Sequence, residues 1–351
     1  MSGSSYGKNF TISTFGESHG GGIGVVVDGV TPGVPLCPED IQHDMDRRRP
    51  GQSAVTTPRS EADKVQILSG VFEGKTTGAP IMMMIMNWDQ RSRDYGNLAE
   101  LFRPGHADIT YDRKYGIRDY RGGGRSSGRE TAARVAAGAI AKKLLAKYNI
   151  KITAFSAAIG GIHGKTFDPT VIEKNPVRAA DPVAAQQMEQ QILAASERGD
   201  SVGGIIECRI NGVPAGLGEP VFSKLDAELA KAIMSLGGVK GIEFGTGFAA
   251  AAMNGSQHND PITPNGFASN HAGGILGGIS NGDQIVFRAV VKPTSSISLP
   301  QPSISSSGEA ITCEIVGRHD PCLCPRIVPV IEAMAAIVLI DMIKQQAALH
   351  A

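Results

Sequence analysis

The sequence predicts a mixed fold of β-strands and α-helices, arranged as two pseudo-equivalent halves around one core. Three observations predict it. Apolar runs of strand length alternate with helix-length patterns along the whole chain. A degenerate echo recurs at a fixed offset: Glu17-Ser18-His19-Gly20-Gly21 returns as Asp200-Ser201-Val202-Gly203-Gly204, and Asp28-Gly29-Val30-Thr31-Pro32-Gly33 as Asn211-Gly212-Val213-Pro214-Ala215-Gly216, both 183 positions on. The 351 residues, 41% of them hydrophobic, suffice for a sizeable core. The repeats span roughly 6–150 and 190–348 of a single domain, 1–351.

Taken in order, residues 10–15 and 23–27 form two strands joined through a Gly-rich turn. Pro38-Glu39-Asp40 opens a helix that the basic run Arg47-Arg48-Arg49 closes before Pro50-Gly51. Residues 65–71 and 80–86 form strands, the second a continuous apolar run of the kind covered on both faces, its methionines serving as core filler. Residues 87–129 lack periodicity and are rich in Arg, Tyr and Gly, which marks a functional loop. An Ala-rich helix follows to about residue 148. Residues 150–158 form a strand, 182–198 a helix, 204–210 a strand, 224–236 a helix and 284–291 a strand. The final helix near 333–337 resembles residues 136–140.

Lysine plus arginine (34) balance aspartate plus glutamate (34), which argues against a bulk polycation acting on nucleic acid or membrane. An aromatic content of 5% argues against base stacking. Thirteen of the nineteen arginines nevertheless lie at or before Arg134. The planar guanidinium captures phosphate and carboxylate in bidentate fashion, so this part of the chain is suited to an anionic small molecule. Five scattered cysteines indicate a reducing compartment, and no stretch has the order of a signal peptide or the length of a membrane span; the cytoplasm is the expected location. Cys322-Leu323-Cys324 lacks a matching pair at zinc spacing. Gly70 to Thr76 and Gly160 to Thr166 each have three residues between their glycines where a P-loop needs four, which excludes a nucleotide triphosphatase.

Several stretches carry chemistry. Gly16-Glu17-Ser18-His19-Gly20 places an imidazole beside a hydroxyl on a tight turn; a locally bonded histidine in a bend is the structural alternative. One of Arg47, Arg48 and Arg49 can face a ligand while the others complement the helix dipole. Arg103-Pro104-Gly105-His106 puts a second histidine on a turn. Arg125-Ser126-Ser127 stands at a helix N-terminus, where free amides and hydroxyls form an anion site or an N-cap. Lys292-Pro293-Thr294-Ser295-Ser296 ends a strand with a cation and three hydroxyls, suited to a phosphate or a flavin ring edge. Gly317-Arg318-His319-Asp320-Pro321 precedes the last helix.

Together with Arg47-Arg48-Arg49-Pro50-Gly51, Gly122-Gly123-Gly124-Arg125-Ser126-Ser127-Gly128-Arg129-Glu130 and Asn270-His271-Ala272-Gly273-Gly274, these motifs resemble the chorismate synthase family, in its order and from the first strand to the last helix. The resemblance implies an α+β sandwich with helices layered between sheets, assembled as a homotetramer. It implies loss of phosphate from 5-enolpyruvylshikimate 3-phosphate by anti 1,4-elimination to give chorismate, with reduced FMN required but not consumed; the compact chain length favours an external flavin reductant over reduction by the protein itself with NADPH. By carry-over, His19 protonates the departing phosphate, His106 stabilises the reduced flavin, Asp320 assists proton removal, and Ser18 and Ser127 form a hydroxyl relay. Arg48, Arg103, Arg129 and Arg318 hold the substrate's anionic groups. Arg125, Ser126, Ser127, Gly237, Gly238, Gly277, Lys292, Pro293, Thr294, Ser295, Ser296 and Arg318 line the flavin. The chain departs from the family at Ala54, where many members carry arginine; Arg49 or Arg59 is the expected substitute.

Overall fold

The computed structural model describes residues 3–53, 55–56, 61–88, 98–315 and 319–349. Two antiparallel five-stranded sheets enclose a layer of helices. The first holds β1 (Ser5–Tyr6), β2 (Thr11–Gly16), β3 (Gly22–Asp28), β4 (Val65–Ile67) and β5 (Ile81–Met86), in the order β1-β2-β3-β5-β4. The second holds β6 (Lys151–Ile159), β7 (Ile162–His163), β8 (Gly204–Asn211), β9 (Val239–Phe244) and β10 (Ile285–Val291), in the order β9-β10-β8-β6-β7. The helices are α1 (Pro38–Arg48), α2 (Asp108–Tyr115), α3 (Thr131–Leu145), α4 (Pro182–Glu197), α5 (Leu225–Met234), the single turn α6 (Gly255–His258) and α7 (Cys324–Leu349).

Without the short edge strands β1 and β7, the sheets read β2-β3-β5-β4 and β6-β8-β10-β9, the same order of first, second, fourth and third strand. Helices α1 and α5 occupy matching places after β3 and β8, and α3 and α7 follow β5 and β10. The echoed turns match in detail. Gly29 (φ +77°) and Gly212 (φ +80°) both adopt left-handed backbone, and a Cβ on either would fall 2.0 Å from Asn9 O or 2.5 Å from Asn149 O. Glycine alone fits there.

Small residues let the central helices approach closely. A Cβ on Gly138 of α3 would lie 2.3 Å from Ala333 Cβ of α7. Almost every α7 residue up to Ile343 is buried, as an apolar helix between two sheets must be. Register places Ile23, Val25 and Val27 of β3 opposite Ile85, Met83 and Ile81 on the core face.

The outer face of β5 departs from expectation. Met82, Met84 and Met86 are only half-buried, so its continuous apolar run is not covered on both faces within one chain, and these three are not core filler. The strand expected at 65–71 stops at Ile67 and gives way to a hairpin of Val71–Phe72 with Lys75–Thr76.

Candidate functional site

The turn from β2 to β3 is five residues long, and it buries Ser18 and His19, whose Oγ and Nδ1 lie 3.2 Å apart. Above it runs the glycine stretch 122–124, all at positive φ. A Cβ on Gly122 would come within 2.2 Å of His19 Cε1, and one on Gly123 within 2.9 Å of His106 Cε1. The chain thus threads between two imidazoles where no side chain fits.

The basic end of α1 divides by helical geometry. Arg47 turns to Glu332 (2.6 Å) and Glu173 (2.7 Å), Arg49 points to the surface, and Arg48 is directed inward, 1% exposed. Arg48 donates to Asp63 Oδ2 (3.0 Å), Thr131 Oγ1 (3.1 Å) and Gly128 O (2.8 Å). Asp63 also accepts from Arg129 Nη1, so one fully buried carboxylate holds two guanidiniums. Burial favours the neutral acid at Asp63, but the charges of Arg48 and Arg129 outweigh it and hold its pKa below the usual range. Burial, then the charge of Arg326, push the Arg48 pKa down to about 9 against Asp63. Arg129 Nη2 is buried without a hydrogen-bond partner among the described residues. Such a donor awaits an acceptor.

Arg103 grips Asp108 through Nε (2.7 Å) and Nη2 (2.9 Å), and His106 Nδ1 lies 2.9 Å from the same carboxylate. Burial opposes ionisation of Asp108, yet hydrogen bonds from Arg103 and His106 hold its pKa far below the carboxylate range. Arg103 Nη2 also lies 3.1 Å from His106 Nδ1, so this nitrogen sits between a guanidinium that only donates and a carboxylate that only accepts, and Nε2 remains for other contacts. Burial, with Arg103 nearby, lowers the His106 pKa. The second half reaches across: Lys292 Nζ (2.8 Å) and Ser295 Oγ (2.7 Å) both donate to Gly105 O, and Arg103 Nη1 lies 3.4 Å from Ser296 Oγ. Asp320 pairs with Arg326 at the start of α7. Burial pushes the His319 pKa down to about 4, and its Nε2 and the Thr294 hydroxyl are buried without partners among the described residues.

These groups surround a cavity of about 350 Å³. Among the described residues, Arg48, Arg103, Arg129, Lys292 and Arg326 line it with one carboxylate, Asp320, and two histidines, His106 and His319. Ser126, Ser127, Gly237, Gly238 and the whole of 292–296 also reach it, while Leu323, Ile327 and Val330 form an apolar wall. Each half supplies corresponding parts: the end of α1 or the turn after α5, and the loop before α3 or α7.

Not every expected residue lines the cavity. Ser18 and His19 abut Gly122, which does. Ser127 caps the turn at 128–130 by accepting from Arg129 N (3.3 Å), and no direct hydrogen bond joins it to Ser18 among the described residues. Arg125 turns away, tied to Thr14 Oγ1 (2.8 Å) and Gly16 O (3.2 Å) of β2. Gly277 lies in the turn between Ile275–Leu276 and Ile279–Ser280, outside the cavity lining. Exposed Arg49 does not line it either. Arg318, Ala54 and Arg59 lie outside the described residues.

Sequence reasoning missed Asp63, Asn87, Asp108 and Arg326. A signal existed for Asp108, a carboxylate two positions after His106. None tied Asp63 to Arg48, because fifteen residues separate them and only the fold makes the contact.

Fold and site define an α+β enzyme that handles a compact, multiply anionic substrate. The chorismate synthase family model matches residues 10–343. The chain is 58% identical over 341 residues to a chorismate synthase of Syntrophobacter fumaroxidans, covering 97% of each. It is 54% identical to that of Desulfatibacillum aliphaticivorans over 100% of this chain and 98% of the relative. A crystal structure of chorismate synthase superposes with a TM-score of 0.77 at 32% identity, covering 97% of this chain and 93% of the other. The chain belongs to the chorismate synthase family.

Proposed function

We infer that the chain is a carbon-oxygen lyase that eliminates phosphate from 5-enolpyruvylshikimate 3-phosphate to give chorismate, in the shikimate pathway. The observation that carries this is the cavity itself, with five cationic side chains against one carboxylate among the described residues around a space of small-molecule size. Arg48, Arg103 and Arg129 hold the phosphate and carboxylates, with Asp63 and Asp108 fixing their guanidinium planes from behind. Arg318 joins them by family resemblance. His19, packed against the cavity-lining Gly122, gives a proton to the departing phosphate. His106, anchored at Nδ1 by Asp108 and Arg103, stabilises the electron-rich partner in the cavity from its Nε2 side. Asp320, held by Arg326, assists removal of the ring hydrogen.

The cavity fits a flat heteroaromatic cofactor. Leu323, Ile327 and Val330 supply an apolar wall, Gly237 leaves 4.0 Å between the place of a Cβ and Ser126 O, and Thr294 Oγ1 and His319 Nε2, without partners among the described residues, await hydrogen bonds. Ser126, Ser127, Gly237, Gly238 and residues 292–296 would hold reduced FMN, with Arg125 supporting them from β2. The chemistry supplied by reduced FMN held there would be electron density for the allylic carbon–oxygen bond, without net redox change.

We further infer one domain of two pseudo-repeats, the second including β6, and a cytoplasmic homotetramer served by an external flavin reductant. Matching strand orders support the repeats. No helix among the described residues is long and apolar enough to cross a membrane. Anaerobic incubation with the phosphorylated substrate and chemically reduced FMN should yield chorismate, and absence of product with flavin bound would sink the assignment. Oxidised FMN plus NADPH should give none without an added reductase, and light scattering should return four times the chain mass of 36.7 kDa.

A further inference from the structure

Asn87 directly follows β5 and is 7% exposed, yet it lines no part of the cavity. Its side chain is fully used. Nδ2 donates to Glu17 O and Gly20 O, each at 3.0 Å, and Oδ1 accepts from Arg129 Nε at 3.0 Å. Its backbone N–H adds a bond to Gly21 O at 3.3 Å. The two side-chain bonds grip the carbonyls on either side of Ser18 and His19, while the third holds a guanidinium whose Nη1 is on Asp63 and whose Nη2 has no hydrogen-bond partner among the described residues. One amide therefore joins the histidine turn to the anion clamp.

We propose that Asn87 is a positioning residue that fixes the His19 turn and the Arg129 guanidinium relative to one another, so that proton donor and anion clamp meet the substrate in one geometry. This rests on the function inferred above. The chemistry is specific to a short primary amide, which alone offers two donors and an acceptor at this reach. Aspartate would keep the bond to Arg129 but set its oxygens against two carbonyl oxygens. Alanine would remove all three bonds, releasing the carbonyls of Glu17 and Gly20 from the amide and taking the acceptor from the buried Arg129 Nε.

Misplacing a reacting group by about 1 Å lowers turnover by roughly 100-fold. Asn87→Ala should accordingly reduce kcat about 10- to 100-fold with KM within about threefold, and Asn87→Asp should do no better. In a His19→Ala background, Asn87→Ala should lower the residual rate less than about threefold, because residues that act as a unit are not additive. Proportional losses in both backgrounds, an unchanged kcat, or an effect confined to KM would overturn the proposal. The His19 ring resonance, followed by NMR without substrate or flavin, should shift in Asn87→Ala or, if that variant does not fold, in Asn87→Ser; an unmoved signal overturns the proposal independently of any turnover. A wild type that makes no chorismate would instead refute the functional assignment and leave this NMR readout standing.

Discussion

His19 and Val202 fall in corresponding places, each before the second strand of its sheet, but the chain around them differs. In the first half the connection from β2 to β3 is five residues that bury an imidazole against Gly122. In the second, residues 160–203 intervene between β6 and β8 and carry β7 and α4, and the backbone of Val202 donates to Pro321 O (3.0 Å). Both turns thus contact the loop before a central helix, α3 or α7. In one, the contact holds a titratable group beside the cavity; in the other it is a hydrogen bond between main chains. A shared scaffold tolerates this divergence because sheet order and helix packing depend on apolar faces, while the chemistry depends on a few loop residues.

The largest test of the difference is His19→Ala. Turnover should fall about 100- to 10,000-fold, the range for loss of a positioned acid or base, while the melting temperature and flavin binding stay near wild type. An unfolded or flavin-free variant would return His19 to the role Val202 plays. Next is the clamp in the first half, whose paired arginines share one buried carboxylate. Asp63→Ala should destabilise the fold by about 3–5 kcal/mol in urea unfolding, because it leaves two buried guanidiniums uncompensated. The seam between the halves is the third target. Gly138→Ala places a methyl against Ala333 and should cost about 1–3 kcal/mol by the same measurement. A neutral result would mean that α3 and α7 can slide apart.

The smallest effect concerns His319, in the second half. Its folded pKa, about 4, lies below the unfolded value of about 6.5, so the unfolded chain binds more protons between these limits. Stability should therefore rise with pH across that window and fall as pH drops through it. Replacing His319 with Gln should flatten the slope by up to about one proton in unfolding curves from pH 4 to 7. His106, also lowered, acts in the same direction and remains in the variant as a residual slope.

Much of this was legible in the chain. Strand and helix periodicity located β3, β8, α1 and α4 within a residue or two, since those patterns are local. The echo at residues 200 and 211 located β8 but not β6, because the insertion 160–203 displaces the counterpart of β2 out of the repeating register. Of the site, the arginine and histidine motifs announced themselves by residue type. Their direction did not: Arg48 and Arg125 look equally suited to a ligand, and only packing sends one into the cavity and ties the other to β2. Asp63 and Asn87 were invisible because their partners are distant in sequence.

The glycine thread at 122 and 123 bears on how such a protein can change over generations. Neither residue donates a side chain to any reaction, yet any replacement puts a carbon where His19 or His106 already stands. Drift at these two codons is therefore closed in a way that drift at the catalytic positions is not, since a smaller residue can always take the place of an imidazole without collision. A lineage that lost the chemistry would be expected to surrender its histidines first and its glycines afterwards, once the imidazoles no longer filled the space.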